Sequence, residues 1–342
     1  MGTGGFFRPD PAGPRHNWPM PTSHQVRPSH ARGYAIALCA AAILATTGVL
    51  IRHLSLAYHL PALVMAFWRD VFVVATLVPW FGWRRPDLLR VPRGLLPFLM
   101  VFGLVLALFN VLWTLSVTLN GAAVATVLVY CSGAFTVFLG RWLLKEPLSL
   151  AKLLATGLSL GGCTLVSGAL HAGAWRTNLV GILAGGLSGL VYAGYSLMGR
   201  SASERGVGPW TTLVYIFGFA SVFLFLFNLP PGGWLPGAAT RPADFFWLGR
   251  SLTGWGILFL LAAGPTVAGF GLYLVSLVHL PSSVANLVVS LEPGFATLFA
   301  FVFLGERLDG AQVAGGLMIL AGVGVLRAGE AWAGGALTSG SR

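Results

Sequence analysis

Apolar positions along this chain fall into long unbroken runs, punctuated by short polar stretches. Ten such runs can be marked, at 33–51, 61–83, 95–117, 121–144, 151–170, 178–198, 210–229, 255–278, 282–304 and 310–327. A helix needs about 20 mainly apolar residues to cross roughly 30 Å of hydrocarbon, and each run meets or approaches that length. Most connections are short and marked by Pro, Gly, Asn or Ser, as helix-breaking chemistry requires. The exception is 230–254, a Pro- and Gly-rich connection holding Trp234, Phe245, Phe246 and Trp247. Its aromatics are expected at the membrane–water interface, with a lid over a site as the alternative. The pattern predicts an all-α integral membrane protein of ten transmembrane helices. Residues 1–31 contain Pro, Gly, His and Arg with no apolar core and read as a disordered tail. The first run starts near Gly33, too deep for an ordinary signal peptide and without a cleavage pattern after it.

Composition supports the membrane assignment. The chain is 56% hydrophobic and 9% charged with a mean hydropathy of +0.79, whereas a soluble domain carries about 25% charged residues. Cys39, Cys131 and Cys163 each lie inside an apolar run and read as small hydrophobes. The net charge of +11 does not indicate nucleic acid, because the basic residues are scattered between apolar runs with no basic face interleaved with aromatics. They fit membrane topology instead. Fifteen Lys and Arg fall on one side, in the N-terminal tail, the 84–94 connection and every second connection after it, and five fall on the other. Arg69 alone lies within a span. Cytoplasmic loops hold the excess of Lys and Arg, so both termini are expected in the cytoplasm, at the inner membrane. That requires an even number of spans, which ten satisfies.

Sliding the sequence by 160 residues lays spans three to five on spans eight to ten without a gap. Ser116 falls on Ser276, Val124 on Val284, Ala125 on Ala285, Phe135 on Phe295, Glu146 on Glu306, Leu148 on Leu308 and Gly162 on Gly322. Chance explains several apolar matches, but the chain has only 10 acidic residues, and both members of the Glu pair end a span just before a Leu. The chain is therefore divided into a 32–172 half and a 173–328 half, with tails at 1–31 and 329–342. Five spans is an odd number, so the second half enters the membrane inverted. Inverted repeats are the architecture of many secondary transporters, with the site between the halves near the midplane.

Arg69 within AFWRD, the Glu146-Pro147-Leu148 junction and the Gly305-Glu306-Arg307-Leu308 junction resemble the drug/metabolite transporter superfamily, EamA type. The resemblance covers residues 33–327. It implies ten helices around a central cavity and the export or exchange of amino acids and related metabolites. One departure stands out: Cys131-Ser132-Gly133 in the first half faces Leu291-Glu292-Pro293 in the second, so the two cavity walls differ chemically.

Polar groups inside the spans mark the candidate site. Glu292 lies ten residues into the ninth run, about 15 Å deep, where a charge costs about 2.5–3.5 kcal/mol and should face protein or a wet cavity. Two roles compete for it: a proton carrier, or a protonated group bonded between helices beside a Pro293 kink. Arg69 and Asp70 are adjacent and so point to different faces of a helix; partners on other helices are expected, with Glu292 a candidate for Arg69. A structural ion pair is the rival to a functional one. Gly264-Pro265-Thr266 and Glu292-Pro293 interrupt two spans, and Pro frees backbone groups that survive at membrane depth only beside protein or water. The candidate lining is Arg69, Asn110, Trp113, Tyr130, Ser132, Tyr192, Tyr273, Asn286, Ser290 and Glu292, with Tyr195 a further contributor. Under the 160-residue shift Trp113 matches Tyr273, and Ser132 matches Glu292. Glu146 and Glu306 are expected at helix ends, with Ser149 and Asp309 as N-caps of the next helices. Gly181, Gly185 and Gly189 form a stripe for close helix packing.

No GxxxxGK[ST] phosphate loop occurs, so direct use of ATP is not expected, and no cofactor or metal is implied. The histidines, His16, His24, His30, His53, His59, His171 and His279, show no metal-ligand or acyl-transfer spacing. The expected function is a secondary transporter of small polar or amphipathic metabolites working by alternating access, as a monomer or homodimer among membrane lipids. An integral membrane enzyme acting on lipids, or a channel or scaffold, is the alternative class.

Overall fold

The computed structural model describes residues 30–129, 132, 135, 150–166, 178–230, 235–279, 288–289 and 291–339. Among these, all regular structure is helical. The first half contributes α1 (His30–Tyr58), α2 (Ala62–Arg84), α3 (Leu96–Asn120), α4 (Ala122–Val129) and α5 (Leu150–Val166). The second contributes α6 (Leu179–Glu204), α7 (Pro209–Asn228), a continuous α8 made of Leu252–Leu261, Ala262–Gly269 and Phe270–His279, then α9 (Glu292–Leu304) and α10 (Gly310–Ser339). Six of these helices are long and apolar enough to cross a membrane, and shorter apolar stretches lie in α5, α9 and α10.

The packing follows the exchange of two halves. α3 lies on α6, and its counterpart contact, α1 on α8, is also made; α2 lies on α7, α4 on α9 and α5 on α10. Each helix thus meets its own counterpart or a symmetric pair is formed, as two inverted five-helix repeats require. Because lipid is as apolar as Leu, such contacts depend on close packing by small residues rather than on a hydrophobic drive. At Gly162 a Cβ would lie 2.5 Å from the Gly315 carbonyl oxygen, so α5 and α10 touch backbone to backbone. At Gly185, within the predicted stripe, a Cβ would lie 2.5 Å from Leu128 Cδ1 and 2.9 Å from Ser116 Oγ. Bulky apolar groups point outward instead: Leu252 is 86% and Phe303 68% exposed.

Several boundaries differ from expectation. α1 begins at His30, and α10 continues to Ser339, through most of the expected 329–342 tail. The 84–94 connection holds two 3₁₀ turns, Pro86–Leu89 and Arg93–Leu95, and is tied to α7 by Tyr215 Oη donating to Leu89 O at 2.8 Å. The 230–254 connection packs back on the bundle. Trp68 Nε1 donates to Phe245 O at 2.6 Å, Trp247 Nε1 donates to Tyr58 O at 2.9 Å, and the Phe245 ring meets Phe67 edge-on at 5.4 Å. Asp244 caps its own turn there, and the Thr240 hydroxyl, with backbone N–H groups, holds its carboxyl below the usual carboxylate range. Trp234 lies outside the described residues.

The predicted Asp309 N-cap is present: Asp309 Oδ1 accepts from Gln312 N at 2.7 Å and Gln312 Oε1 from Asp309 N at 3.0 Å. Glu306 does something different from the expected support of its own turn. It accepts the backbone N–H of Ala122 at 3.1 Å, at the start of α4. The reason is geometric: the α9 end abuts the open N-terminus of α4, whose orphan donors attract a carboxylate. Glu146 and Ser149 lie outside the described residues.

Candidate functional site

A cavity of about 290 Å³ lies at mid-bundle between the halves. Seven of the ten sequence-predicted residues line it: Arg69 from α2, Asn110 and Trp113 from α3, Ser132 beyond α4, Tyr192 from α6, Tyr273 from α8 and Glu292 from α9. Tyr130, Asn286 and Ser290 lie outside the described residues. The symmetric pairs Trp113/Tyr273 and Ser132/Glu292 both face this one space. Tyr195 joins them, as does Thr266 of the Gly264-Pro265-Thr266 interruption, along with Phe109, Phe217, Thr47 and Thr126, which the sequence did not mark. The two phenylalanines carried no signal, because an apolar residue in an apolar span looks the same facing a cavity or lipid.

Two backbone interruptions build the second-half wall. Pro265 lacks an N–H, so Leu261 O has no ordinary helical donor; the chain answers with a π-helical Ala262–Gly269 segment, and Thr266 Oγ1 donates to Leu261 O at 3.2 Å. Glu292 is the first residue of α9, with Pro293 in its opening turn, and lies on the wall of the mid-bundle cavity. Pro293 stands in a first helical turn, where its missing N–H costs least. This places the Glu292 carboxyl at a helix N-terminus, where negative charge is favoured.

The charged cluster differs from the expected cross-helix ion pair. Arg69 pairs with its own neighbour: Nε to Asp70 Oδ1 is 3.2 Å, with both side chains buried. The long guanidinium arm curls back around the helix, which spacing rules for short side chains do not anticipate. The cross-helix partner belongs to Asp70 instead, whose Oδ2 accepts from Asn110 Nδ2 at 2.6 Å. Asp70 is 0% exposed, and its charge is balanced locally by Arg69. Arg69 and Glu292 nonetheless share the cavity wall.

Aromatic rings form a continuous wall. Phe109 stacks on Trp113 (6.1 Å, 14°), meets Tyr192 at 5.3 Å, and Tyr192 stacks on Tyr195 (5.7 Å, 20°). Among the described residues three buried side-chain polar atoms have no hydrogen-bond partner: Trp113 Nε1, Thr114 Oγ1 and His279 Nδ1. Only Trp113 of these lines the cavity. Its residue is 7% exposed and its Nε1 atom is fully buried, so the indole ring contributes to the wall while its N–H is withheld from water. Among the described residues no cluster of three or more His, Cys, Asp or Glu side chains is placed to hold a metal. The cavity offers a carboxyl group, hydroxyls and ring faces, which suits binding of a small amphipathic solute.

The comparisons with known proteins agree. An uncharacterized transporter of Synechocystis sp. is 25% identical over 247 residues, 71% of each chain. The threonine/homoserine exporter RhtA of Salmonella typhimurium is 27% identical over 225 residues, 63% of this chain and 65% of its own. A solved crystal structure shares the fold with a TM-score of 0.55 at 17% identity, covering 87% of this chain and 98% of that one. The EamA-like transporter family matches twice, over residues 31–168 and 179–328, once in each half. A multi-pass helical bundle, two repeats and a central cavity between them thus meet in one molecule, and the chain belongs to the EamA-like transporter family of membrane transporters.

Proposed function

We propose that the protein exports amino acids or related small amphipathic metabolites across the inner membrane, by alternating access of the 32–172 and 173–328 halves to the central cavity. The observation that carries this reading is a cavity of about 290 Å³ between the halves, lined by Glu292, Ser132 and a run of aromatic rings. The aromatic wall from Phe109 to Tyr195 offers ring faces to the solute's apolar part. The volume is at the small end of ligand pockets, which run about 300–1,000 Å³ for drug-sized ligands, and so favours metabolites of amino-acid size. The Salmonella relative is named for threonine and homoserine export. The excess of Lys and Arg on one side supports cytoplasmic termini, and Glu292 is the candidate for proton coupling.

The test is uptake of radiolabelled amino acids into proteoliposomes, with unlabelled amino acids as competitors. Saturable, competable uptake that responds to an imposed pH gradient is the expected result. Flux that rises linearly with concentration and ignores competitors would sink the proposal in favour of a pore.

A further inference from the structure

The carboxylate of Glu306 joins the two halves at one face of the bundle. Its Oε2 accepts from Ala122 N at 3.1 Å and from Ala123 N at 3.4 Å, and its Oε1 lies 3.1 Å from Arg52 Nε. Arg52, on α1, also donates to Thr118 O near the end of α3. One second-half carboxylate thus fastens α1, α3 and α4 of the first half through charge-assisted hydrogen bonds. The α3–α4 joint is shaped around it: Gly121 has φ +88°, and a Cβ there would lie 2.8 Å from Glu306 Oε1. A side chain at Gly121 would strain the backbone and push the carboxylate out.

This junction lies away from the cavity. Leu304, next to Glu306, is a full α9 length from Glu292, 13 residues or about 20 Å. The start of α6 is at the same face, since Asn120 Nδ2 donates to Gly181 O at 2.8 Å. The end of α6 is therefore at the opposite face. There a second hollow of about 170 Å³ shares Tyr195, Phe270 and Tyr273 with the central cavity and reaches Ser203, Val207 and Pro209 at the α6–α7 turn. The halves are bound together on the Glu306 face, and toward the other the second hollow abuts the central cavity at Tyr195, Phe270 and Tyr273.

We propose that Glu306, with Arg52 and the N-terminus of α4, is the latch that closes the transport path on its face and must open once per cycle. Glu306 touches no cavity surface; it is a positioning residue, acting through α4, which carries Thr126 and Val129 to the cavity wall. The inference rests on the transport reading above. It assigns a state as well: the structure is closed at the Glu306 face.

The experiment uses the full chain with Cys39, Cys131 and Cys163 replaced by Ser and one reporter, Thr126→Cys, in the cavity. A membrane-impermeant methanethiosulfonate is added from each face in turn. Glu306→Gln and Arg52→Gln are each expected to raise labelling from the Glu306 face at least tenfold and to lower it from the α6–α7 face. The double variant should exceed neither single one greatly, because both open one junction. Rates within twofold of the parent in either folded variant overturn the latch. Should Glu306→Gln fail to fold, an Arg52→Cys/Glu306→Cys pair joined by a short bifunctional thiol reagent decides: transport is expected to stop and to return on reduction, and full transport in the joined protein overturns the proposal. Protection of Thr126→Cys by substrate reports separately on the transport reading. Its loss would sink the cavity assignment, while unchanged protection with unchanged labelling rates would sink the latch alone.

Discussion

Asp70 is bonded on both carboxylate oxygens, by Arg69 and by Asn110, and is fully buried. Truncating one member of such a pair leaves the other charge unpaired at depth, which costs about 3–5 kcal/mol, whereas replacing both by apolar groups of like volume is often neutral. Asp70→Ala is therefore expected to lower stability by about 3–5 kcal/mol, and Arg69→Met/Asp70→Leu to lose markedly less than the sum of the single changes. Unfolding in detergent through a double-mutant cycle checks this; additive losses would show that the pair is not coupled. Trp113 invites the opposite experiment. Trp113→Phe keeps the ring against Phe109 but deletes the N–H that has no partner in the protein. The protein's own stability is expected to change little, because no internal bond is lost. The half-saturating concentration of substrate is expected to shift by less than about threefold, whereas Trp113→Ala, which removes the ring from the cavity wall, is expected to raise it about tenfold, about 1.4 kcal/mol. A drop in stability with unchanged transport kinetics would make Trp113 a packing residue only.

At the scale of elements, α8 departs most from a regular helix. Pro265 withholds a donor from Leu261 O, and the π-helical segment with the Thr266 hydroxyl fills the gap beside the cavity. Pro265→Ala restores the donor and is expected to stabilise the protein by up to about 3 kcal/mol, the usual penalty for Pro in a helix interior. Initial transport rates are expected to fall several-fold as the wall straightens. Equal stability and equal rates would show that the π segment is held by its neighbours, not by Pro265. The sequence made much of this legible. Hydropathy located the helices, Pro265 and Pro293 marked the two interruptions, and Gly185 marked a tight contact. Partner choice was harder to read. That Arg69 curls back to Asp70, and that Glu306 reaches across to Ala122 instead of serving its own turn, depends on helix rotation and on which ends abut. A one-dimensional pattern holds neither. Nor does it separate Phe109 on a cavity wall from an equally apolar residue facing lipid.

For the whole molecule, the inverted repeat supplies two similar walls around one space, and the chemistry breaks that symmetry at one pair of positions. Ser132 and Glu292 correspond under the repeat and both line the cavity, yet only the second carries an acid. If the carboxyl group carries the coupled proton, what matters is that one such group lies in the cavity and meets both faces in turn during the cycle. Glu292→Gln keeps the shape and removes the titrating group, so transport driven by an imposed pH gradient is expected to fall at least tenfold and its pH dependence to flatten. Exchange of substrate for substrate, which needs no net proton movement, should persist. The relocated acid is the sharper case: Ser132→Glu combined with Glu292→Ser places the carboxyl on the opposite wall of the same space. It is expected to restore pH dependence while leaving the rate below the parent, because the new group lacks the α9 N-terminus that favours its charge at position 292. Uptake measured across a series of internal and external pH values, with parent and both variants in matched proteoliposomes, decides the matter. Unchanged rate and pH dependence in Glu292→Gln would remove Glu292 from the coupling step and leave it as a helix-end group.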